Sequence, residues 1–223
     1  MSRIHPTALI DAGAELHHSV EVGPYAIVEA DTVIGAGCRI ESHARIFSGT
    51  RLGANNRVCH GALLGCEPQD LSFTPERSRP LLIGDDNHFK EGVNISRGVK
   101  TDAGTLIGNG NYFMGNFHAG HDCIIGDRVM VAGCAKIVKD IPPYTIGDGN
   151  PARVAGINSV GLRRAGFSAE ARRAIKSIYR EIYHAGENIG QALTRLEQVD
   201  HSAETALILA FFRRSQRGVT AYR

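Results

Sequence analysis

Aliphatic side chains stand at every sixth position from Ile4 to Leu64: Ile4, Ile10, Leu16, Val22, Val28, Ile34, Ile40, Ile46, Leu52, Val58 and Leu64. A half-buried strand repeats every two residues and a helix every three to four, so a period of six means one inward anchor per short straight segment. Three such segments make one turn of a prism. The register resumes at Ile83, Phe89 and Ile95, and again at Ile107, Phe113, Ala119, Ile125, Val131 and Ile137. Small or apolar residues such as Ala8, Ala26 and Ala44 sit four places after most anchors, with Asn56 as the polar exception. Several anchors precede glycine, which suits tight corners. The pattern predicts a mainly β protein, a parallel β-helix of hexapeptide repeats whose stacked coils bury one aliphatic column.

Two interruptions, Cys66 to Leu82 and about Thr101 to Thr105, predict loops thrown out from the prism. A solenoid tolerates such insertions because its coils need only neighbours to stack upon, and a loop reaching sideways can meet a substrate or another chain. The flat prism faces also suit self-association. After about Asn158 the period stops. Ser168-Ala-Glu opens a helical pattern through Ile175, Ile178, Tyr179 and Ile182, ended near Gly186. Ala192, Leu193 and Leu196 mark a second helix, and Leu207, Ile208, Phe211 and Phe212, after Ser202, a third. These apolar faces are read as core rather than as a membrane anchor. The division expected is a solenoid over residues 1–158, with loops near 66–82 and 101–105, and a C-terminal helical domain over 159–223.

The net charge of +2 carries no nucleic-acid footprint. Ser2-Arg3-Ile4-His5-Pro6 has no apolar secretory segment, and no run spans a bilayer, so a cytoplasmic protein is expected. Five cysteines without a Cys-x-x-Cys pair are read as reduced thiols, several of them buried.

Candidate chemistry concentrates in Asn116-Phe-His-Ala-Gly-His-Asp-Cys123. A neutral imidazole at His118 or His121 is a suitable base for removing a hydroxyl proton during attack on an acyl carbonyl. Asp122 would orient His121 only if a corner brings them together, because adjacent side chains in extended chain point apart. Zinc-binding prisms hold the metal through three histidines, two of them separated by four residues; His118 and His121 are separated by two, and His60 and His88 do not complete a set. No metal site and no cofactor are expected.

Ile4-His-Pro-Thr-Ala8, Gly65-Cys-Glu-Pro-Gln-Asp-Leu71, His118-Ala-Gly-His-Asp-Cys123, Asp140-Ile-Pro-Pro-Tyr144, Gly149-Asn-Pro-Ala152 and Gly161-Leu-Arg-Arg-Ala-Gly-Phe167 together resemble the bacterial UDP-N-acetylglucosamine O-acyltransferases, which start lipid A synthesis. The resemblance implies a left-handed prism, against the usual right-handed crossover, a homotrimer, and transfer of a (3-hydroxy)acyl group from acyl carrier protein to the sugar 3-hydroxyl of UDP-N-acetylglucosamine. It implies His121 as general base with Asp122 as its partner, and His118 as a cleft histidine. Gln69 and Asp70 would hold the glucosamine ring from a neighbouring subunit, while Asn158 and Arg164 would meet the nucleotide end. Arg163, Arg164, Arg172, Arg173, Arg213 and Arg214 are either a docking surface for the acidic carrier protein or solvated helix faces.

The chain departs from the family pattern between Cys123 and Asp140, where about two coils are missing. Those coils supply an oxyanion donor and much of the acyl groove, so N–H groups between Val138 and Asp140, one coil above His121, are the expected replacement. A changed acyl-chain length is the expected consequence. Ser72 stands where the family often has lysine, and Val160 where it has an acid, which weakens the expected hold on the sugar. Two alternatives stay open: a sugar acyl- or acetyltransferase of altered scope, and a non-catalytic trimer binding nucleotide sugar or carrier protein.

Overall fold

A computed structural model describes residues 3–223. Ser2, at the N-terminal stretch read for a secretory signal, lies outside them. Short parallel strands, most of two residues, pass through three sheets in rotation. The first face has nine strands, from Arg3–Ile4 to Ala152–Ile157, the second seven, from Leu9–Ile10 to Lys136–Ile137, and the third six, from Glu15–Leu16 to Ile124–Ile125. Each anchor lies beside its equivalent one turn later, as Ile4 does with Val22 and Val22 with Ile40. The inward columns form one core, in which the Phe89 and Phe113 rings stack at 5.0 Å. Asn56 proves to begin a buried ladder: its side-chain oxygen accepts from the Asn87 N–H, and that of Asn87 accepts from the Asn111 N–H, both at 2.9 Å.

Apart from Gly65, whose φ is +89°, the glycines after the anchors have a different cause from the one expected. Gly35 and Gly126 do not have positive φ; a Cβ at either would stand 2.7 or 2.6 Å from backbone of the next coil. Close stacking excludes a side chain there. The left-handed corner conformation falls instead on residues such as Gly37, Asn55 and Asp122.

Both loops leave the prism at one corner, where the second face turns into the third. The first joins Leu63–Cys66 to Leu81–Ile83, and the second joins Asn94–Ser96 to Thr105–Ile107. The second therefore begins at Arg97, earlier than expected, because Ile95 and Ile107 are two hexads apart and a six-residue insertion leaves the periodicity intact. The loops brace one another: the Arg79 N–H donates to Gly98 O at 2.9 Å, and Arg97 Nε to Ser78 Oγ at 2.8 Å.

Beyond the last coil an antiparallel hairpin, Thr145–Gly149 with Ala152–Ile157, leads to helices α1 (Ser159–Arg164), α2 (Ala169–His184), α3 (Ile189–Leu196) and α4 (Ala203–Arg214). Asn158, Ser168, Asn188 and Ser202 cap them by accepting from N–H groups of the first turn. Neither the hairpin nor α1 was expected. Leu162, Ile175, Tyr179, Ile182, Leu193, Ile208 and Phe212 form a second core, tied to the coils where Tyr179 Oη donates to Pro143 O. Leu207, expected in that core, is 38 % exposed because it turns toward the third face. Among the described residues no helix is long and apolar enough to cross a membrane. After α4 the tail returns to the coils, pairing Val219 with Asp140 and Tyr222 with Val154.

Candidate active site

His118 lies on the second face and Ile124 on the third, so His121 and Asp122 occupy the corner between them, one coil above the second loop. Asp122 has φ +58°, and this left-handed turn swings its carboxylate back onto its neighbour. His121 Nδ1 and Asp122 Oδ2 are 2.6 Å apart. The corner thus supplies the geometry that extended chain would deny.

Asp122 is almost fully buried and is gripped by the second loop. The N–H groups of Val99, Lys100 and Thr101 converge on its carboxylate at 3.0–3.2 Å, joined by Thr101 Oγ1 at 3.0 Å. Burial alone would raise its pKa, but the His121 bond and the loop donors together outweigh it and hold the carboxyl below its ordinary value. A carboxylate only accepts, so Nδ1 carries the proton and Nε2 presents its lone pair outward. His121 is thereby oriented as a base.

On the Nε2 side stands Asp70 of the first loop, with Oδ2 at 3.8 Å. Within one chain the shared corner brings Asp70 beside His121. Ser72 departs from the family's lysine yet has a function here, donating through N–H and Oγ to Asp70 Oδ1 at 2.9 and 2.8 Å. A lysine returns from the second loop, with Lys100 Nζ 3.2 Å from Asp70 Oδ2. The Ser72 donors, then Lys100, hold the Asp70 carboxyl well below the usual range. Gln69 is exposed beside it.

His118 lies half-buried one strand away, Nδ1 3.3 Å from Asn94 Oδ1. Burial, and then Lys136 on the next coil, push its pKa down, so it is neutral near pH 7. Asn158 and Arg164 are not at this corner. Asn158 donates to Arg128 O at 2.9 Å, at the corner between the third and first faces, and caps α1, whose last residue is the exposed Arg164. Of the arginines considered for carrier docking, Arg213 is engaged by Glu197 at 2.8 Å.

Sequence reasoning missed the roles of Lys100 and Thr101 because it started their loop at about Thr101, the six-residue insertion keeping the hexad count intact. It also missed an apolar groove of about 330 Å³ between the third face and α4, lined by Leu106, Ile124, Leu207 and Phe211. Leu106 and Ile124 alternate with the inward anchors of their strands, and Leu207 and Phe211 lie on α4, so the inward period of the coils reports none of them.

Comparison with known proteins agrees with this geometry. The family model described as UDP-N-acetylglucosamine O-acyltransferase, domain 2, matches residues 140–220, and the bacterial transferase hexapeptide model matches 13–48. Relatives named acyl-(acyl carrier protein) UDP-N-acetylglucosamine O-acyltransferase include one from Syntrophobacter fumaroxidans, 36 % identical over 97 % of this chain and 99 % of its own. Another, from Paraburkholderia phymatum, is 38 % identical over 98 % and 99 %. The solved UDP-N-acetylglucosamine O-acyltransferase of Moraxella catarrhalis superposes with a TM-score of 0.66 at 31 % identity, covering 97 % of this chain and 99 % of that one. That of Bacteroides fragilis gives 0.61 at 33 %, covering 96 % and 98 %. The two sequence alignments run over 256 and 261 positions against 223 residues here, a surplus close to two prism turns. The repeat, the His121–Asp122 corner and near full-length similarity converge: this chain belongs to the UDP-N-acetylglucosamine O-acyltransferase family and has its left-handed parallel β-helix.

Proposed function

We propose that the protein transfers an acyl group from acyl carrier protein to the 3-hydroxyl of UDP-N-acetylglucosamine, in the cytoplasm, as the first step of lipid A synthesis. The observation that carries this reading is the His121–Asp122 pair at 2.6 Å, with Asp122 fixed by three loop N–H groups. His121 Nε2 takes the hydroxyl proton as the sugar oxygen attacks the thioester carbon. The C–S bond then breaks, and the thiolate recovers the proton from the imidazolium. Asp70, Gln69 and His118 line the acceptor side, with Asp70 accepting from a sugar hydroxyl or amide. Residues up to 158 serve as the solenoid together with its closing hairpin, and 159–223 as its helical domain.

The groove along α4 begins at Ile124, three residues beyond His121, and suits the acyl chain. Its shortness would set a chain length different from that of homologues with more coils. Asn158 and Arg164 sit at another corner of their own chain, so a second copy must present them to His121 if they meet the nucleotide; the homotrimer is part of this proposal. Leu71, wholly exposed at the first loop, is a contact for that copy.

The test is a mass-spectrometric transfer assay with UDP-N-acetylglucosamine and carrier-protein thioesters from short to long, for wild type and His121→Ala. A product whose rate falls about 10²–10⁴-fold in the variant supports the reading. No product from a folded protein with any donor sinks it. A chain-length profile identical to that of a longer homologue removes the groove assignment.

A further inference from the structure

We propose that Arg217, from the C-terminal tail, is a catalytic residue whose guanidinium, together with the Lys139 N–H, stabilises the negative oxygen formed on the thioester carbonyl. This rests on the acyl-transfer reading of His121.

The coil above His121 is the last on the second face. Lys136 lies beside His118, and the Gly120 N–H donates to Ile137 O at 3.0 Å, so Val138 and Lys139 form the corner directly over Gly120 and His121. Parallel rungs are about 4.8 Å apart, and a carbonyl attacked by an oxygen bound at His121 has its own oxygen at about that height. No further coil covers this rung. The tail covers it instead: the Asp140 N–H donates to Gly218 O at 3.0 Å, the Thr220 N–H to Asp140 O at 2.8 Å, and Ser215 Oγ to Asp140 Oδ2 at 2.6 Å.

These bonds deliver Arg217 to the corner. Its Nε donates to Val138 O at 2.8 Å, and its Nη2 lies 4.0 Å from the place a Cβ on Gly120 would take, beside the Gly120–His121 peptide. Among the described residues no carboxylate oxygen lies within 4.0 Å of the guanidinium, and its terminal N–H groups donate to nothing. Asp140 on this rung accepts from the Ile124 N–H and from Ser215, and the Arg217 charge acts on it only through space, without a direct bond. The Lys139 N–H likewise has no acceptor among the described residues, whereas the Asp140 N–H is used by Gly218. Two donors without a hydrogen-bond acceptor among the described residues, one carrying a full charge, therefore lie on the rung above His121.

The step balances simply. As the sugar oxygen bonds to the carbonyl carbon and its proton moves to His121 Nε2, the carbonyl π pair becomes a lone pair on oxygen, and that charge is what the guanidinium meets. The pair returns when the C–S bond breaks and the thiolate takes the proton. Such a charge exists only near the transition state, so the interaction acts on kcat. A guanidinium bound to a phosphate of either substrate would act on KM instead.

The test is steady-state kinetics on full-length Arg217→Ala, Arg217→Gln and Arg217→Lys, with thermal midpoints. Arg217→Ala is expected to lower kcat about 10²–10³-fold, with both KM values within about threefold. Gln keeps a donor for Val138 O and is expected to restore the midpoint without restoring kcat; Lys is expected to restore part of kcat. Guanidine added to Arg217→Ala is expected to recover some turnover. The proposal falls if kcat of Arg217→Ala stays within about threefold, if only a KM rises, or if Gln restores midpoint and rate together. An inactive wild type removes the acyl-transfer reading and this one with it; an active wild type indifferent to Arg217 removes this one alone.

Discussion

Asp122 and Asp140 occupy the same corner one coil apart, and both are buried. Burial acts on each carboxyl first and in the same direction, upward, yet the outcomes are opposite. Asp122 receives His121 and the donors of the second loop and is held below its ordinary value; Asp140 has only the Ile124 N–H and Ser215 Oγ as direct donors, and burial wins. The difference lies in what the chain places beneath or above each rung. A six-residue insertion beneath Asp122 turns three N–H groups toward it, whereas the tail above Asp140 offers one hydroxyl as a direct donor and, with the end of α4, only the through-space charges of Arg217 and Arg214. The donors, not the position in the repeat, hold one acid below its ordinary pKa beside His121 and make the other a clamp for the C-terminus.

The largest test of this contrast is Asp122→Asn, which keeps the volume but removes the charge that fixes the His121 tautomer. We expect kcat to fall about 10²–10⁴-fold, read by product formation, and further than in Asp140→Asn, where the amide can still bond Ser215 and hold the tail in place. Equal losses at the two positions would erase the distinction. Next, Ser215→Ala strips one of the two direct donors from Asp140 and should cost about 1–3 kcal/mol in urea unfolding. A tail that is merely draped over the coil would make that change silent.

Asp140→Asn sharpens the contrast through pH. A raised folded pKa means the folded state binds the proton more readily, so the Asp140 contribution favours folding as pH falls through the folded value toward the ordinary one, and costs stability above it. Asp122 works the other way: its contribution is complete above the ordinary value and is lost as pH falls through it toward the lower folded one. Asp140→Asn should therefore be more stable than wild type at pH 7, with the gap closing in acid. A constant gap across pH would contradict the assignment. The smallest effect is expected at Thr101→Val, which removes one hydroxyl donor from Asp122 and leaves the three N–H groups, costing about 1 kcal/mol and less than tenfold in kcat.

Much of this was legible in the residues. The hexads gave the prism because burial acts on each short segment separately, and Ser168, Ser202 and the apolar spacing gave α2 and α4 because capping is local. His121 and Asp122 were recognisable as chemistry, but their contact depended on a left-handed turn at Asp122 that no neighbour in sequence demands. The loop from Arg97 was misjudged because six extra residues preserve a six-residue period. The hairpin after Thr145 and helix α1 carry no repeat at all.

Sequence by itself determined the coil, its inward column, the capped helices and the family, since each depends on spacing within a few residues. Tertiary structure decided what those residues do to one another. The donors on Asp122 come from 21 to 23 residues away, the Ser215 clamp on Asp140 from 75, and the Arg217 contact to Val138 from 79. Contacts across such distances exist only once the coils have stacked and the tail has returned, because stacking alone brings a corner, two loops and the chain terminus within hydrogen-bond reach.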